Sequence, residues 1–386
     1  MIRTINTEKI PIKLWLDDIE EGAMQQARDI ANLPFAAHHV AIMPDAHQGF
    51  GMPIGGVLAT RGVVIPNAVG VDIGCGMCAQ RTSLSHVSQS DLVSIVNKIR
   101  TAIPVGFKHH RQAPGKDLLP AVETRLPVVE REFNNALYQV GTLGGGNHFI
   151  ELQKGSDGFL WIMVHSGSRN IGKQVADHYY REAVKLNEKE GKKKEIPRQL
   201  ASLPVDSDIG RSYLNEMQYC ISFAFASRKR MIDAISEIIA GHFRDVAFYD
   251  FINIAHNFAN PETHFGERLM VHRKGATSAK KDERCIIPGS QGTSSYICRG
   301  KGNPESFRSC SHGAGRVMGR KQAQKLLDLK KERRLLDEKG IIHGMTSHRD
   351  LDEATSAYKD INLVMKLQQD LVEIVTELQP LAVVKG

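Results

Sequence analysis

The sequence predicts a mixed α+β fold, and three observations carry that prediction. Apolar segments with helical and with strand periodicity are interspersed along 386 residues, without a regular βαβ rhythm. No segment recurs at a fixed period, which sets aside solenoids and propellers. No long disordered linker divides the chain, so one large domain over residues 1–386 is expected, and a hydrophobic content of 41% suffices for a substantial core.

Asp17 to Asn32 reads as a helix with acids in its first turn, beside the positive end of the helix dipole. His39 to Met43 and Gly55 to Thr60 read as strands flanking a Gly/Pro-punctuated loop that carries Asp45 and His47. Val63 to Val71 leads as a strand into the turn V-G-V-D-I-G-C-G-M. Asp91 to Ile103 and Ala121 to Leu137 read as helices, joined through a basic polar loop, Lys108 to Lys116, which is either solvated or a contact for an RNA backbone. Phe159 to His165 reads as a strand, and Ile171 to Glu190 as a helix that dissolves into a solvated G-K-K-K-E run. Ile209 to His242 is a long amphipathic helix or a broken pair; Phe248 to His256, Arg268 to His272, Arg284 to Ile287 and Ser295 to Cys298 read as strands. After His312 the stretch G-A-G-R-V-M-G-R-K-Q-A opens a helix, and Ala354 to Leu378 is read as the last one.

The formal net charge of +7 points to a polyanionic partner, such as nucleic acid or a phosphorylated substrate. There is no apolar run of transmembrane length, and Met1 to Lys13 lacks the apolar core of a signal peptide, so no membrane contact and a cytoplasmic location are expected. Six cysteines, mostly scattered, are then expected as reduced thiols. Cys75 and Cys78 form a C-x-x-C with no second pair to complete a zinc knuckle; Cys78 is expected to point into the core.

Asp72 and Cys75 can face the same way if the segment turns tightly, which glycines at 70, 74 and 76 permit. A lone D-x-x-C proves nothing, because cysteine is usually a small buried hydrophobe. Downstream, His148, His165, His256 and His312 each sit beside Gly, Ser or Asn at the end of an apolar run, where functional side chains are commonly displayed. If Asp72, Cys75, His148, His165 and His256 converge, one thiolate, one carboxylate and three imidazoles exceed the needs of a single tetrahedral ion. Two metals sharing Cys75 would use them all, and paired ions recur in phosphoryl and nucleotidyl transfer. The donor set suits manganese or zinc alike. His312, followed by G-A-G-R, could ligate a metal, move a proton or attack phosphorus. The turn P-G-S-Q-G-T, Pro288 to Thr293, could hold an anion or a purine edge.

Taken in order, D-I-G-C-G-M, G-N-H-F-I-E, V-H-S-G-S-R, H-N-F-A, P-G-S-Q-G-T-S-S-Y, S-H-G-A-G-R and the terminal V-K-G resemble the RtcB family of GTP-dependent RNA-splicing ligases over nearly the whole chain. The resemblance implies a mixed α/β domain of that type with a central metal and guanylate site. It implies joining of RNA 2′,3′-cyclic phosphate or 3′-phosphate ends to 5′-hydroxyl ends, with GTP as cosubstrate and two Mn²⁺. Cys75 would bridge the metals, with His165 and His256 completing one site and Asp72 and His148 the other. His312 would carry GMP covalently before its transfer to the RNA 3′-phosphate. The guanylate pocket would draw on Asn147, Glu151, Asn257, Pro288, Gly289, Ser290, Gln291, Ser295, Gly313, Ala314, Gly315, Tyr358 and Lys385, beside the metal-bearing His148 and His256. Arg169 would contact phosphate or RNA. An activating protein partner is left open, as are two rivals: a metal-dependent RNA-end phosphoesterase and a non-enzymatic RNA-binding module. Gln291 stands where the family pattern has methionine, and no proline precedes Tyr358; both departures touch the rim of the nucleotide pocket.

Overall fold

Pairing between strands distant in the chain organises the molecule around two large sheets. The computed structural model describes residues 1–122 and 124–386, with the side chain of residue 193 also outside the description. In chain order, β1 (Arg3–Ile5), β2 (Ile12–Leu14) and α1 (Glu21–Ala31) precede the hairpin β3 (Ala36–Phe50) and β4 (Met52–Thr60). Next come β5 (Val63–Val64), α2 (Pro66–Val69), β6 (Gly76–Thr82), α3 (Gln89–Ala102) and α4 (Pro127–Gln139). The middle of the chain supplies β7 (Phe149–Gly155), β8 (Leu160–Ser166), α5 (Arg169–Lys189), β9 (Leu203–Pro204) and α6 (Asp208–Ala240). A run of strands follows: β10 (Phe248–Ala255), β11 (Asn257–His264), β12 (Glu267–Lys274), β13 (Ala276–Ser278), β14 (Arg284–Ile287), β15 (Ser295–Gly300) and β16 (Ser309–Ser311). The chain closes with α7 (Arg320–Leu326), α8 (Leu329–Asp337), α9 (Ile361–Leu367) and β17 (Val372–Lys385).

One sheet has the order β1-β2-β3-β4-β12-β11 and the other β10-β6-β8-β7-β17-β15-β14. Apart from the parallel pair β2/β3, the ladders within both are antiparallel, as the expected α+β class requires. Side chains from both sheets meet in a core that includes Trp15, Val57, Val271, Ile287 and Tyr296. Helix α6, about 50 Å long, runs unbroken rather than as a pair. Ser207 caps its first turn by accepting from the Gly210 N–H, and its buried stripe Tyr213, Met217, Cys220, Ala224, Met231 and Ile235 packs on α5, α3 and the second sheet.

Several expectations are corrected. The punctuated loop around Asp45 is hairpin: β3 continues through it, with its pairing shifted between Ile42 and His47. Pro44 lies in that irregularity, where a residue without an N–H is tolerated, and the irregular segment re-aims Asp45. The strand expected over Val63 to Val71 stops after Val64, because Pro66 cannot donate to a ladder and instead starts the short α2. The helix expected over Ala121 to Leu137 begins at Pro127; the part of that expectation on residue 123 lies outside the described residues. Strand β11, between the two strands expected at Phe248 to His256 and Arg268 to His272, went unrecognised. The helix expected directly after His312 starts only at Arg320. The expected final helix, Ala354 to Leu378, is replaced by a 3-10 turn at Thr355–Ala357, α9 and the start of β17. The β-branched Val372, Ile374, Val375 and Thr376 fit a pleated surface better than a helix, and Pro380 sits at an irregularity of the β17/β7 ladder.

His272 in β12 illustrates how tightly this framework fixes a tautomer. Its Nδ1 donates to the Leu58 carbonyl at 3.2 Å, so Nε2 is left to accept from the Ile65 N–H at 2.9 Å. Burial, opposed by the hydrogen bonds to Leu58 and Met270, pushes this imidazole down to about 4. The folded value lies below the unfolded one, so the unfolded chain takes up the proton first. Stability from this site is fully present above pH 6.5 and lost as pH falls toward 4, on the order of 3 kcal/mol. Urea titrations between pH 4 and pH 7.5 are expected to show that decline, and His272→Gln, whose amide can make both bonds without titrating, is expected to flatten it. An identical pH slope in the variant would refute the assignment.

Candidate metal and nucleotide site

The turn that carries Asp72 and Cys75 is built by backbone contacts. The Cys75 N–H reaches the Asp72 carbonyl at 3.1 Å, and the Gly74 N–H reaches the Asn257 carbonyl at 2.9 Å. Gly74 lies in the left-handed region at φ 73°, and a Cβ there would stand 2.8 Å from the Ile221 Cα of α6, so only glycine fits. Strand register brings in the histidines: His165 on β8 pairs with Met77 of β6 and with Phe149 of β7, next to His148. His256, between β10 and β11, donates its N–H to the Cys75 carbonyl at 2.8 Å.

The five residues singled out as metal ligands are thus brought together. Cys75 Sγ lies 3.4 Å from His148 Nε2 and 3.3 Å from His165 Nε2, and His148 Nε2 lies 3.0 Å from Asp72 Oδ2. One donor atom each from Cys75, His148 and His165 falls within 4.8 Å of the others. The His256 ring stands 5.1 Å from that of His165, centroid to centroid.

Donor chemistry fits a divalent ion. His165 Nδ1 donates to the Asn147 carbonyl at 3.1 Å, which leaves a lone pair on Nε2 facing the sulfur. Burial and the neighbouring imidazoles hold His165 and His256 well below the usual histidine value, so both are neutral. Burial alone would raise the Asp72 carboxyl, but His148, Cys75 and Arg169 outweigh it and keep the carboxyl ionised. Burial and the Asp72 charge push the Cys75 thiol up; a divalent cation would reverse that shift, because a coordinated thiol is deprotonated. Buried Nδ1 atoms of His148 and His256 have no hydrogen-bond partner among the described residues.

Arg228 holds this cluster from behind. Fully buried in α6, it donates to Asn253 Oδ1 at 2.7 Å and to the carbonyls of Gly74 and Ser166 at 2.9 and 2.8 Å. It ties the metal turn to the end of β8. It was missed because S-R-K-R looks like a solvated helix face; its register with the buried Cys220, Ala224 and Met231 was the available signal.

His312 follows β16 at the other end of the imidazole row, its ring 4.8 Å from that of His256. Buried Asp45 binds it twice, from Oδ2 to Nδ1 at 2.6 Å and to the backbone N–H at 3.1 Å. The helix expected here starts only at Arg320, and residues 313–319 form an irregular loop. That loop borders a cavity of about 650 Å³. Of the residues assigned to nucleotide binding, Asn147, Glu151, Pro288, Gly289, Ser290, Gln291, Gly313, Ala314, Gly315, Tyr358 and Lys385 line it, as do His312 and His165. Ser295 lies behind the wall, accepting from the Gly289 N–H and from Gln153. Asn257 is also framework: its amide donates to the Asp72 carbonyl, and its oxygen accepts from the Gly275 N–H. Arg169 is not among the residues that line the cavity; it donates to the Gly106 carbonyl at 2.6 Å and to Thr142 Oγ1 at 3.2 Å.

Lys385 does not fray. It pairs with Phe149 at the end of β17, and its Nζ stands 3.5 Å from Glu353 Oε2. Glu353, unremarked in the sequence, is the buried hub of the far wall, paired with Arg316 at 3.1 Å and Arg320 at 3.0 Å and accepting from the Tyr358 hydroxyl. Burial opposes its ionisation, but Lys385, Arg320, Tyr358 and Arg316 keep it charged. Glu151 differs: burial, only partly offset by Lys385, pushes it up to about 8.

Comparison with known proteins gives one consistent picture. The family model described as "tRNA-splicing ligase RtcB" matches residues 26–126 and 116–386. The chain is 38% identical over 410 aligned residues to the RNA-splicing ligase RtcB of Escherichia coli strain K12, covering 99% of each chain. It is 30% identical to the tRNA-splicing ligase RtcB of Nanoarchaeum equitans, covering 98% of this chain and 95% of that one. Against the RNA-splicing ligase RtcB of Mycobacterium tuberculosis the identity is 31%, over 94% of this chain and 100% of the other.

Proposed function

We propose a reaction from one premise: this chain belongs to the tRNA-splicing ligase RtcB family. It is an RNA ligase, as its relatives are named. Our finer proposal is a GTP- and Mn²⁺-dependent enzyme that joins RNA 2′,3′-cyclic phosphate or 3′-phosphate ends to 5′-hydroxyl ends. The chain would act as a single catalytic domain over residues 1–386 in the cytoplasm; no described helix is long and apolar enough to cross a membrane.

The contact between Asp45 and His312 is the observation that carries this proposal. Asp45 engages Nδ1, so Nε2 is the ring nitrogen left to attack. In the proposed sequence, Nε2 attacks the α-phosphorus of GTP, the bond to the β-phosphate oxygen breaks and pyrophosphate leaves. Asp45 stabilises the positive charge that develops on the imidazole, as a triad carboxylate does. An oxygen of the RNA 3′-phosphate then attacks the same phosphorus; the P–N bond breaks and GMP caps the RNA end. Finally the 5′-hydroxyl oxygen attacks the 3′-phosphorus, GMP departs and a phosphodiester remains. A cyclic phosphate must first be opened by water to the 3′-phosphate. Capping matters because a bare phosphomonoester oxygen is a poor leaving group.

Cys75, His165 and His256 are proposed to hold one Mn²⁺, and Cys75, Asp72 and His148 the second. When bound, such ions orient phosphate oxygens and neutralise their charge. Glu151 and Lys385 are proposed to read the guanine edge, and Tyr358 to pack on the purine. Ligation that requires both GTP and Mn²⁺ is the expected assay result. Opening of a cyclic phosphate without GTP, and without joining, would support an end-processing phosphoesterase instead.

Lys385 allows a selective test. Deleting Lys385 and Gly386 leaves β17 paired through Val384, so fold and metal binding are expected to persist. The GTP concentration for half-maximal guanylylation should rise roughly 10- to 100-fold, the worth of one charge-assisted hydrogen bond. An unchanged GTP requirement in that truncation and in Lys385→Met would remove the lysine from the pocket.

A further inference from the structure

His47 lines the same cavity as His312, on the β3 side. Both imidazoles hang from Asp45: His312 Nδ1 meets its carboxylate at 2.6 Å, and His47 Nδ1 meets its backbone carbonyl at 3.0 Å. A carbonyl can only accept, so the proton of a neutral His47 sits on Nδ1 and Nε2 carries a lone pair. That Nε2 has no hydrogen-bond partner among the described residues. Desolvation in the cavity, helped by the charges of His312 and Lys359, pushes the ring down to about 4, so it stays neutral near pH 7. The backbone that presents it is fixed on both sides. The Ala46 carbonyl accepts from Lys359 Nζ at 2.6 Å, His47 pairs with Ile54, and the Gln48 N–H donates to the Glu20 carboxylate.

The walls of the cavity differ in what they offer a ligand. Arg316, Arg320 and Lys385 bring cations, gathered around Glu353. The wall formed by Glu20, His47, Gln48, Gly49 and Ile54 brings no cation, and two of its groups, the Glu20 carboxylate and His47 Nε2, only accept. Such a wall disfavours phosphate and suits a hydrogen-bond donor. GTP carries two kinds of donor, the guanine N–H groups and the ribose hydroxyls, and the guanine edge is assigned above to Glu151 and Lys385. In-line displacement at the α-phosphorus sets the departing pyrophosphate opposite the attacking His312 nitrogen and holds the ribose oxygen to the side. A group hung beside His312 from the same Asp45 therefore meets the nucleoside rather than the pyrophosphate.

Resting on the guanylylation proposed above, we infer that His47 reads the sugar of the nucleotide: its Nε2 accepts a hydrogen bond from a ribose hydroxyl of GTP. A site built around a hydroxyl disfavours the analogue that lacks it, because the acceptor is then left unpaired. His47 thereby sets a preference for ribonucleotide over deoxynucleotide and takes no part in making or breaking bonds.

The test is guanylylation of the full-length, Mn²⁺-loaded protein in the absence of RNA, with α-labelled GTP, 2′-deoxy-GTP and 3′-deoxy-GTP compared. The unaltered protein should disfavour at least one deoxy nucleotide by roughly 10-fold in kcat/KM, carried by KM. His47→Ala should lose about the same factor with GTP and nothing further with that deoxy nucleotide. His47→Gln, whose amide oxygen can accept where Nε2 does, should keep the preference. Each protein is compared with itself across nucleotides, so a lower yield of folded enzyme cancels. An unaltered protein that takes all three nucleotides equally, or a His47→Ala protein that keeps the full preference, would overturn the inference. A defect of His47→Ala that appears only once RNA is added would place the histidine on the RNA and overturn it as well. The same labelling separates the two levels. Equal labelling by all three nucleotides defeats this contact alone, whereas no labelling of the unaltered protein by any of them defeats the ligase chemistry beneath it.

Discussion

Alanine at position 312 is expected to abolish joining of 3′-phosphate to 5′-hydroxyl RNA, by at least about 10⁴-fold, the scale on which a covalent nucleophile is lost. The fold should survive, because His312 is partly exposed and its neighbours Ser311 and Asp45 belong to paired strands. Mn²⁺ should still bind, since the clustered donors Asp72, Cys75, His148, His165 and His256 are intact. The defect should be specific to the first chemical step. An RNA supplied with a 3′-linked guanylate cap bypasses transfer from the protein, so the variant should seal that substrate to a 5′-hydroxyl end. Failure on the capped substrate with normal metal content would mean that His312 has a further role in the sealing step.

Removing the sulfur of Cys75 should have an equally large effect through a different route. Cys75 lies between His148 and His165, at 3.4 and 3.3 Å, and the proposal makes its thiolate common to both ions. Cys75→Ala should therefore lose both, weakening Mn²⁺ binding by more than about 100-fold, beyond what an outer-shell partner costs. His256→Ala should weaken chiefly one. Serine should not rescue, because a metal-bound thiol deprotonates readily whereas an alkoxide is unavailable near neutral pH. Elemental analysis and Mn²⁺ titration of guanylylation measure both effects. Two fully occupied metals in Cys75→Ala would contradict a bridging thiolate.

The candidate metal-binding cluster drew attention in the sequence because each of its residues sits at a local signal: a glycine turn for Asp72 and Cys75, a strand end for His148, His165 and His256. Their convergence was not legible from spacing; it follows from the pairing of β6 with β8 and β10, strands separated by dozens of residues. What failed depended on tertiary context. In the sequence Asp45 reads as part of a punctuated loop, and only the β3/β4 hairpin shows that it faces His312. The helix expected over Ala354 to Leu378 holds only at Ile361–Leu367; from Val372 the chain is strand because β7 and β15 are present to pair with it. Glu353 carries no motif, since a buried carboxylate is recognisable only with its Arg316, Arg320 and Lys385 partners in place. Arg228 hid in the same way, a cation at an apolar register whose acceptors are backbone carbonyls of other elements.

In the proposed reaction His312 carries GMP through a phosphorus–nitrogen bond. The direct measurement is tandem mass spectrometry of the unaltered protein after incubation with Mn²⁺ and α-labelled GTP, digested under alkaline conditions. The guanylate mass and the label are expected on one peptide, at His312, lost on brief acid treatment and stable to alkali. Label on another residue, or an active ligase that never acquires label, would contradict it.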